Sequence, residues 1–227
     1  MIYPNMRAMI LAAGRGERMR PLTDLTPKPL LEIGGKSLIE RHLDRLAACE
    51  IDDVIINLAW LGEKIEAALG DGSRFGLRIS YTHEPAGALE TAGGIRAALD
   101  RLGPSPFLVV NGDVLCDYPL ERLVSFEPAG LAHLVLVGNP SHHPEGDFAL
   151  VDGWLAAGGE PRLTYSGIGV FRPEMFESLP HGRRALRPVL NRAVAGGEVS
   201  GEHHTGLWAD VGDPERLQAL RERFARR

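Results

Sequence analysis

Apolar runs of strand length alternate with helical patterns along the first half of the chain. The mainly apolar runs predict short buried strands at residues 7–11, 53–57, 77–81 and 107–110. Between them, apolar side chains recur at helical spacing, which predicts helices at residues 38–48, 62–69 and 91–102. Ser37 and Glu40 have the spacing of a capping box, which marks the start of the first helix. Strands that alternate with helices through short connections are typical of a mostly parallel sheet with helices on both faces, so we expect an α/β fold.

The pattern is looser after residue 113. Further strands are predicted at residues 131–137, 147–151 and 162–171, without full helices between them. Helices are predicted at residues 183–195 and 214–225. This arrangement indicates a mixed sheet or a lid-like extension in the second half. The chain has no internal repeat, low-complexity segment or linker of distinct composition, so we expect one domain over residues 1–227.

Composition and charge restrict the class of protein. Hydrophobic residues make up 44% and charged residues 24% of the chain, which is ordinary globular usage. The net charge of −5 argues against a dedicated nucleic-acid binder, although a local group of cations can still bind phosphate. Two cysteines cannot build a disulfide framework, and no run approaches the roughly 20 apolar residues of a membrane span. We expect a cytoplasmic protein without a nucleic-acid or membrane partner.

A glycine-containing loop follows the first predicted strand. Residues 11–23 read LAAGRGERMRPLT, and small residues at a strand's carboxyl end let backbone amides approach an anion. Ligands bind at this edge in open α/β sheets. The loop is not a dinucleotide fingerprint, because Met19 stands where the third glycine belongs. The tripeptide GKS at residues 35–37 is not part of a Walker A motif, because Leu30 stands where the first glycine is required.

Four cations lie in and after this loop, at Arg15, Arg18, Arg20 and Lys28. Such a charge run is ordinarily a solvated surface, and that alternative stays open for the loop taken alone. The segment TPKPL at residues 26–30 favours a specific role for the lysine. Two prolines stiffen the backbone on either side of it and hold its direction, which suits catalysis better than solubility.

Two aspartates are further candidate functional residues. Asp113 follows a predicted strand and is expected at the carboxyl edge of the sheet, although its Asn-Gly-Asp context is ordinarily a turn. Asp210 follows an apolar Leu-Trp-Ala run, where a carboxylate is costly unless it is paired or bound to a metal. Asp213 has a structural explanation, because it precedes Pro214 and can cap the last helix.

These motifs together resemble those of the sugar-phosphate nucleotidyltransferases. The resemblance rests on L-A-A-G-x-G-x-R-M-x-P-L-T, T-P-K-P-L, N-G-D-V and W-x-D-V-G-x-P-E-R-L, which begin at residues 11, 26, 111 and 208. That family joins a nucleoside triphosphate to a sugar 1-phosphate and releases pyrophosphate, and it implies a Rossmann-like nucleotidyltransferase fold. Arg15 and Arg20 fall at variable positions of the first motif, so we expect them to face solvent.

The resemblance implies roles for individual residues. Arg18 and Lys28 are the implied catalytic residues, with Arg18 stabilising the transferred phosphoryl group and Lys28 contacting phosphate. Asp113 and Asp210 are the implied ligands of Mg²⁺, an ion that carboxylates, phosphate oxygens and water suit. The implied nucleotide-binding residues are Leu11, Ala12, Ala13, Gly14, Gly16, Glu17, Arg18, Lys28, Thr91 and Gly93. The implied substrate-binding residues are Asn111, Gly146 and Gly167.

The implied reaction requires no general base. The second pKa of a phosphate monoester is about 6, so the attacking oxygen is largely ionised at neutral pH. Both reactants are strongly anionic, so catalysis consists of in-line positioning and of charge cancellation by Mg²⁺, Arg18 and Lys28.

The chain resembles one branch of the family most, in segments spread over most of its length. That branch transfers a uridylyl group to N-acetylmuramate 1-phosphate in peptidoglycan recycling. These segments include residues 70–77, 146–148 and 199–203. The expected substrates are therefore UTP and that sugar 1-phosphate. The resemblance divides the domain into a nucleotide-binding part, a sugar-binding part and a C-terminal helix, at about residues 6–115, 116–212 and 213–225.

Two alternatives stay open at this point. The first is a guanylyl- or thymidylyltransferase that acts on mannose, heptose or glucose 1-phosphate. The second is a non-catalytic nucleotide-sensing domain, which predicts the loss of at least one of Arg18, Lys28, Asp113 and Asp210, whereas all of these are present. The oligomeric state is left open.

Overall fold

The computed structural model describes residues 6–85 and 89–225. The strands are, in chain order, β1 (Ala8–Leu11), β2 (Glu32–Ile33), β3 (Lys36–Ser37), β4 (Asp53–Leu58), β5 (Arg78–His83), β6 (Phe107–Asn111), β7 (Val114–Cys116), β8 (Ala132–Val137), β9 (Phe148–Val151), β10 (Trp154–Ala156), β11 (Arg162–Phe171), β12 (Val199–His204) and β13 (Trp208–Asp210). The α-helices are α1 (Leu22–Leu25), α2 (Leu38–Ala48), α3 (Gly62–Leu69), α4 (Glu90–Leu102), α5 (Glu174–Glu177), α6 (Leu186–Ala195) and α7 (Pro214–Ala225). Short 3-10 helices lie at Glu17–Met19, Lys28–Leu30, Ser73–Phe75 and Leu120–Arg122.

Nine strands form one sheet in the order β5-β4-β1-β6-β11-β8-β12-β10-β9. The first four strands of this order are mutually parallel. β11 runs antiparallel between β6 and β8, and β12 lies parallel to β8. The predicted α/β fold is confirmed, and the looser second half of the sequence corresponds to the mixed half of the sheet.

Hydrophobic packing on both faces of the sheet accounts for the continuous apolar strands. In β1, Ala8 and Ile10 pack towards α2 and α3, whereas Met9 packs towards α4 and α6. α7 packs in a third cluster, where Leu217 and Leu220 contact the segment that follows β1. The predicted capping box of α2 is confirmed, with Ser37 and Glu40 bonded reciprocally. Among the described residues, no helix has the length and apolar character needed to cross a membrane.

One predicted helix begins later than its sequence pattern indicates. The prediction began at residue 183, whereas α6 begins at Leu186. The preceding segment bonds to α4 instead, because the Arg184 amide donates to the Leu89 carbonyl at 2.8 Å and the Arg184 carbonyl accepts from the Gly93 amide at 3.1 Å. These long-range bonds hold residues 183–185 away from helical geometry. This part of the prediction was wrong.

Candidate functional site

The carboxyl ends of three parallel strands meet at one edge of the sheet. Leu11, the last residue of β1, lies beside Asn57 of β4 and Asn111 of β6. The loop after β1 is fastened to this edge, because the Ala12 amide donates to Asn57 Oδ1 at 2.8 Å. The Gly112 amide donates to the Leu11 carbonyl at 2.9 Å. These hydrogen bonds therefore hold the loop after β1 and the turn after β6 in fixed positions at this edge.

The loop itself depends on glycine at one position. Gly16 has φ +66°, a conformation that favours glycine. Its carbonyl accepts a hydrogen bond from Thr23 Oγ1 at 2.8 Å, and a Cβ added at Gly16 would come within 3.0 Å of Thr23 Cγ2. Gly14 faces open space, and the 3-10 helix that follows buries Met19 and leaves Arg18 exposed. The loop thus presents backbone and one guanidinium to the cavity above it.

Lys28 is held at the same edge. It lies in a 3-10 helix preceded by the extended Pro27, and its side chain is largely buried. Its Nζ donates to Asp113 Oδ2 at 2.6 Å. The prolines and this ion pair fix the direction of the ammonium group, as the sequence predicted for the TPKPL segment.

The two predicted aspartates come together through a small ribbon outside the main sheet. β7 and β13 pair antiparallel, with Asp210 opposite Val114. The Val211 amide donates to the Asp113 carbonyl at 2.9 Å. Residues almost a hundred positions apart in the chain therefore lie at one end of this ribbon.

Asp210 has partners from α7 and from the loop after β8. Its Oδ2 accepts from Arg216 Nη1 at 2.6 Å, and its Oδ1 lies 3.4 Å from His142 Nε2. Asp213 caps α7 by accepting from the Arg216 amide at 2.9 Å, as predicted. That hydrogen bond, with the Arg216 charge, lowers the pKa of Asp213. Asp210 thus belongs to the ribbon of β7 and β13, whereas Asp213 starts the helix.

A cavity of about 510 Å³ opens above this edge, and we call it the loop cavity. Its wall is formed by Leu11, Ala12, Ala13, Gly14, Gly16, Glu17, Arg18, Lys28, Pro29, Glu84, Glu90, Thr91, Asn111, Asp113, Arg183 and Gly212. The predicted nucleotide-binding residues all line it except Gly93, which is buried in α4 against residues 182–184. Asp210 is not among the lining residues and lies two positions before the lining Gly212.

Several lining residues were missed from the sequence. Glu84 is fixed by Asn57 Nδ2, which donates to its Oε1 at 2.7 Å, and by the Leu89 amide, which donates to its Oε2 at 2.6 Å. Arg183 Nε donates to Glu90 Oε1 at 2.8 Å. The available signal was the buried asparagine at the end of an apolar strand, since a buried amide needs partners.

A second cavity of about 400 Å³ adjoins the first, and we call it the side cavity. Its wall is formed by Glu90, Thr91, Asn111, Asp147, Phe148, Tyr165, Ala185, Leu186, Arg187 and Leu190. Three of these residues, Glu90, Thr91 and Asn111, also line the loop cavity. A ligand in one cavity is therefore adjacent to a ligand in the other.

One of the three predicted substrate-binding residues lines the cavities, and the other two pack against or adjoin lining residues. Asn111 stands at the junction of both cavities. Gly167 has φ +84° and packs behind it, since a Cβ there would fall 2.6 Å from Asn111 Cγ. Gly146, with φ +63°, lies against Asn139 in the turn before Asp147. Both glycines lie outside the lining and adjoin residues that form it.

Known proteins are similar to this chain over nearly its whole length, including the residues of both cavities. A family model described as nucleotidyl transferase matches residues 7–153. An N-acetylmuramate alpha-1-phosphate uridylyltransferase from Neisseria meningitidis serogroup B is 54% identical over 223 residues, which span 94% of this chain and 96% of that protein. A protein of the same description from Caulobacter vibrioides is 36% identical, with 96% of each chain covered.

The solved structures agree on the fold. HddC from Yersinia pseudotuberculosis, complexed with GMP-PN, superposes with a TM-score of 0.80 at 20% identity. The match covers 96% of this chain and 99% of that one. At this identity the likeness concerns the fold alone.

Proposed function

The chain belongs to the nucleotidyl transferase family, and we propose that it transfers the uridylyl group of UTP to N-acetylmuramate 1-phosphate and releases pyrophosphate. The observation that supports this most is the convergence of the glycine loop, Lys28 and Asp113 on one cavity that adjoins a second. The similarity to two uridylyltransferases over nearly the whole chain supports the choice of substrates. We place the reaction in the cytoplasm, as a step of peptidoglycan recycling.

The loop cavity is the proposed site of the triphosphate. The loop around Gly14 and Gly16 lines the cavity, where backbone amides suit phosphate oxygens, and Arg18 adds a charge beside them. The attacking oxygen of the sugar phosphate is ionised at neutral pH, so no side chain has to remove a proton. It forms a bond to the α-phosphorus while the bond from that phosphorus to the β-phosphate oxygen breaks. Lys28 and Arg18 stabilise the negative charge that gathers at that phosphorus.

We infer that Asp113 and Asp210 hold Mg²⁺. Asp210 ends β13 and Asp113 directly precedes β7, and their carboxylates are hard oxygen donors, which fit this ion. Lys28 donates to one oxygen of Asp113 and Arg216 donates to one oxygen of Asp210, so both carboxylates are held in place. When bound, the ion neutralises phosphate charge and orients the triphosphate.

The side cavity is the proposed site of the sugar. Asn111 stands between the two cavities and can bind the sugar phosphate or the hydroxyl next to it. Most of the remaining wall is apolar, as sugar faces and N-acetyl groups require.

Pyrophosphate release by the purified protein tests the proposal. The measurement uses UTP, GTP and dTTP in turn, each with N-acetylmuramate, mannose and glucose 1-phosphates, in Mg²⁺ and after its removal by EDTA. We expect release only with Mg²⁺, fastest with UTP and N-acetylmuramate 1-phosphate. Faster release with GTP or dTTP would favour the guanylyl- or thymidylyltransferase alternative. Nucleotide binding without release from any pair would favour a sensing domain.

A further inference from the structure

The side cavity has one arginine in its wall. Phe148, Leu186 and Leu190 make most of it apolar, and Arg187, in the first turn of α6, is the cation among its lining residues. Half of the Arg187 side chain is exposed, at 49%. The guanidinium is therefore open both to solvent and to the cavity, where a ligand that enters the cavity can reach it.

The partner of Arg187 is a carboxylate whose two oxygens both accept hydrogen bonds from protein groups. Asp147 is 13% exposed, and its Oδ2 accepts from the Tyr165 amide at 2.8 Å. Its Oδ1 accepts from His143 Nε2 at 3.1 Å and from Arg187 Nη1. Asp147 thus holds the guanidinium in place, and the centre of the Phe148 ring lies 5.5 Å from it.

The remaining donors of Arg187 are free for a ligand. Within the described part of the chain, Nη1 is the guanidinium nitrogen with a hydrogen-bond partner, so Nε and Nη2 keep their protons for another group. The second acid of the wall, Glu90, is paired with Arg183. A negatively charged ligand that enters the side cavity therefore meets no unpaired carboxylate among its lining residues.

We propose that Arg187 is a specificity-determining residue that binds a carboxylate on the sugar. The inference rests on the proposed function, because the sugar expected there carries a lactyl carboxylate. N-acetylglucosamine 1-phosphate has the same ring and acetamido group and lacks the lactyl group. A guanidinium binds a carboxylate through parallel charge-assisted hydrogen bonds, which a neutral group cannot reproduce. Asp147 acts through Arg187 as a positioning residue.

Three sugars separate this contact from general effects on the site. They are N-acetylmuramate 1-phosphate, its lactyl carboxamide, which has the same shape without the charge, and N-acetylglucosamine 1-phosphate. With UTP and Mg²⁺, we expect the native protein to use the acid with a kcat/KM about ten- to a hundredfold above that for the amide. The Arg187→Met variant is expected to use acid and amide within about threefold of each other, with the loss confined to the acid.

Two further variants complete the design. Arg187→Lys keeps the charge and is expected to retain part of the preference for the acid. Arg192→Met removes an exposed arginine of the same helix that lies outside both cavities, and it should leave the preference unchanged. Because the ratio of acid to amide is taken within one variant, a general loss of activity or stability cancels.

The outcomes distinguish the inference from the proposed function. If the native protein prefers another triphosphate or ignores all three sugars, the proposed function fails. If it prefers the acid and Arg187→Met preserves that preference in full, the proposed function stands and the assignment of Arg187 is wrong. If Arg187→Met is too unstable to assay, a reduced preference for the acid in Arg187→Lys with an unchanged KM for UTP supports the assignment, and a preference equal to that of the native protein contradicts it.

Discussion

The loop cavity and the side cavity are built in different ways. Much of the loop cavity comes from one continuous stretch, residues 11–18, whose backbone faces the ligand. The side cavity is assembled from residues 147–148, 165 and 185–190, which are far apart in the chain and meet only in the folded protein. A phosphate is bound largely by backbone geometry, which dictates local sequence, whereas a sugar is selected by side chains that separate elements supply. The residues that bind the phosphate are therefore neighbours in the sequence, whereas the residues that select the sugar are far apart in it.

The largest expected effect on kcat comes from the two aspartates at the end of the β7–β13 ribbon. Asp113→Asn and Asp210→Asn each remove a carboxylate from the proposed Mg²⁺ site, and we expect kcat to fall at least about a thousandfold. The loss should be the same for every sugar. Pyrophosphate release measures it, and circular dichroism with thermal melting checks that the fold is kept. Mg²⁺-dependent turnover near the native rate in either variant would contradict the metal assignment.

Removing the fixed ammonium group is the next largest change. Lys28→Met is expected to lower kcat about a hundredfold with acid and amide sugars alike, because the charge acts on phosphate rather than on the sugar. Arg20→Met is the matched control. Arg20 is exposed, pairs with Asp24 at 2.8 Å and lies outside the cavity wall, so its loss should leave kcat within about twofold. A selective loss for one sugar in Lys28→Met would break the division between the cavities.

Two buried titratable side chains, one outside both cavities and one in the side cavity, should also differ in their response to acid. Burial, with the nearby Arg45 charge, lowers the pKa of His42 in α2 to about 4, whereas burial raises the pKa of Tyr165 in the side cavity. An unfolded histidine titrates near 6.5, so the stability from neutral His42 is present above that pH and is lost as the pH falls towards 4. Tyr165 stays neutral throughout this range.

Urea unfolding near pH 7.5 and near pH 5 measures this difference. We expect His42→Leu to lessen the fall in unfolding free energy between the two values by roughly 2 kcal/mol relative to the native protein. An equal fall in both proteins would show that His42 is already protonated in the folded state.

The smallest expected effect tests the side cavity by size alone. Ala185 is an exposed residue of its wall, so Ala185→Phe narrows the cavity without disturbing the core. We expect the KM for the sugar 1-phosphate to rise about tenfold and the KM for UTP to stay within about twofold. Steady-state kinetics with each substrate varied in turn gives both values. An equal rise in both would mean that the cavities share one ligand.

The contrast between the cavities also explains what could be predicted from the sequence. Gly14, Gly16 and Lys28 could be found because loop backbone and proline-bounded side chains leave a local pattern. Asp113 could be placed because it follows a strongly apolar strand. Asp210 could be found because a carboxylate after an apolar run is costly unless it is paired or bound to a metal.

The other lining residues could not be predicted, because long-range contacts that leave no local sequence pattern position them. Arg187 lies in the first turn of a helix whose predicted start was three residues too early, because residues 183–185 bond to α4 across the fold. Glu84 is defined by Asn57 and by the Leu89 amide, which only the fold brings together. Gly146 and Gly167 were expected at the sugar, and both lie just behind its proposed wall.

A crossed kinetic comparison tests the central claim, that one cavity performs the transfer and the other selects the sugar. The native protein, Lys28→Met and Arg187→Met are each assayed for pyrophosphate release with UTP and with the acid and amide forms of the muramyl sugar. The account predicts that Lys28→Met lowers both rates by the same factor and that Arg187→Met removes only the advantage of the acid. A result in which Lys28→Met abolishes the sugar preference, or Arg187→Met lowers both rates equally, would contradict it.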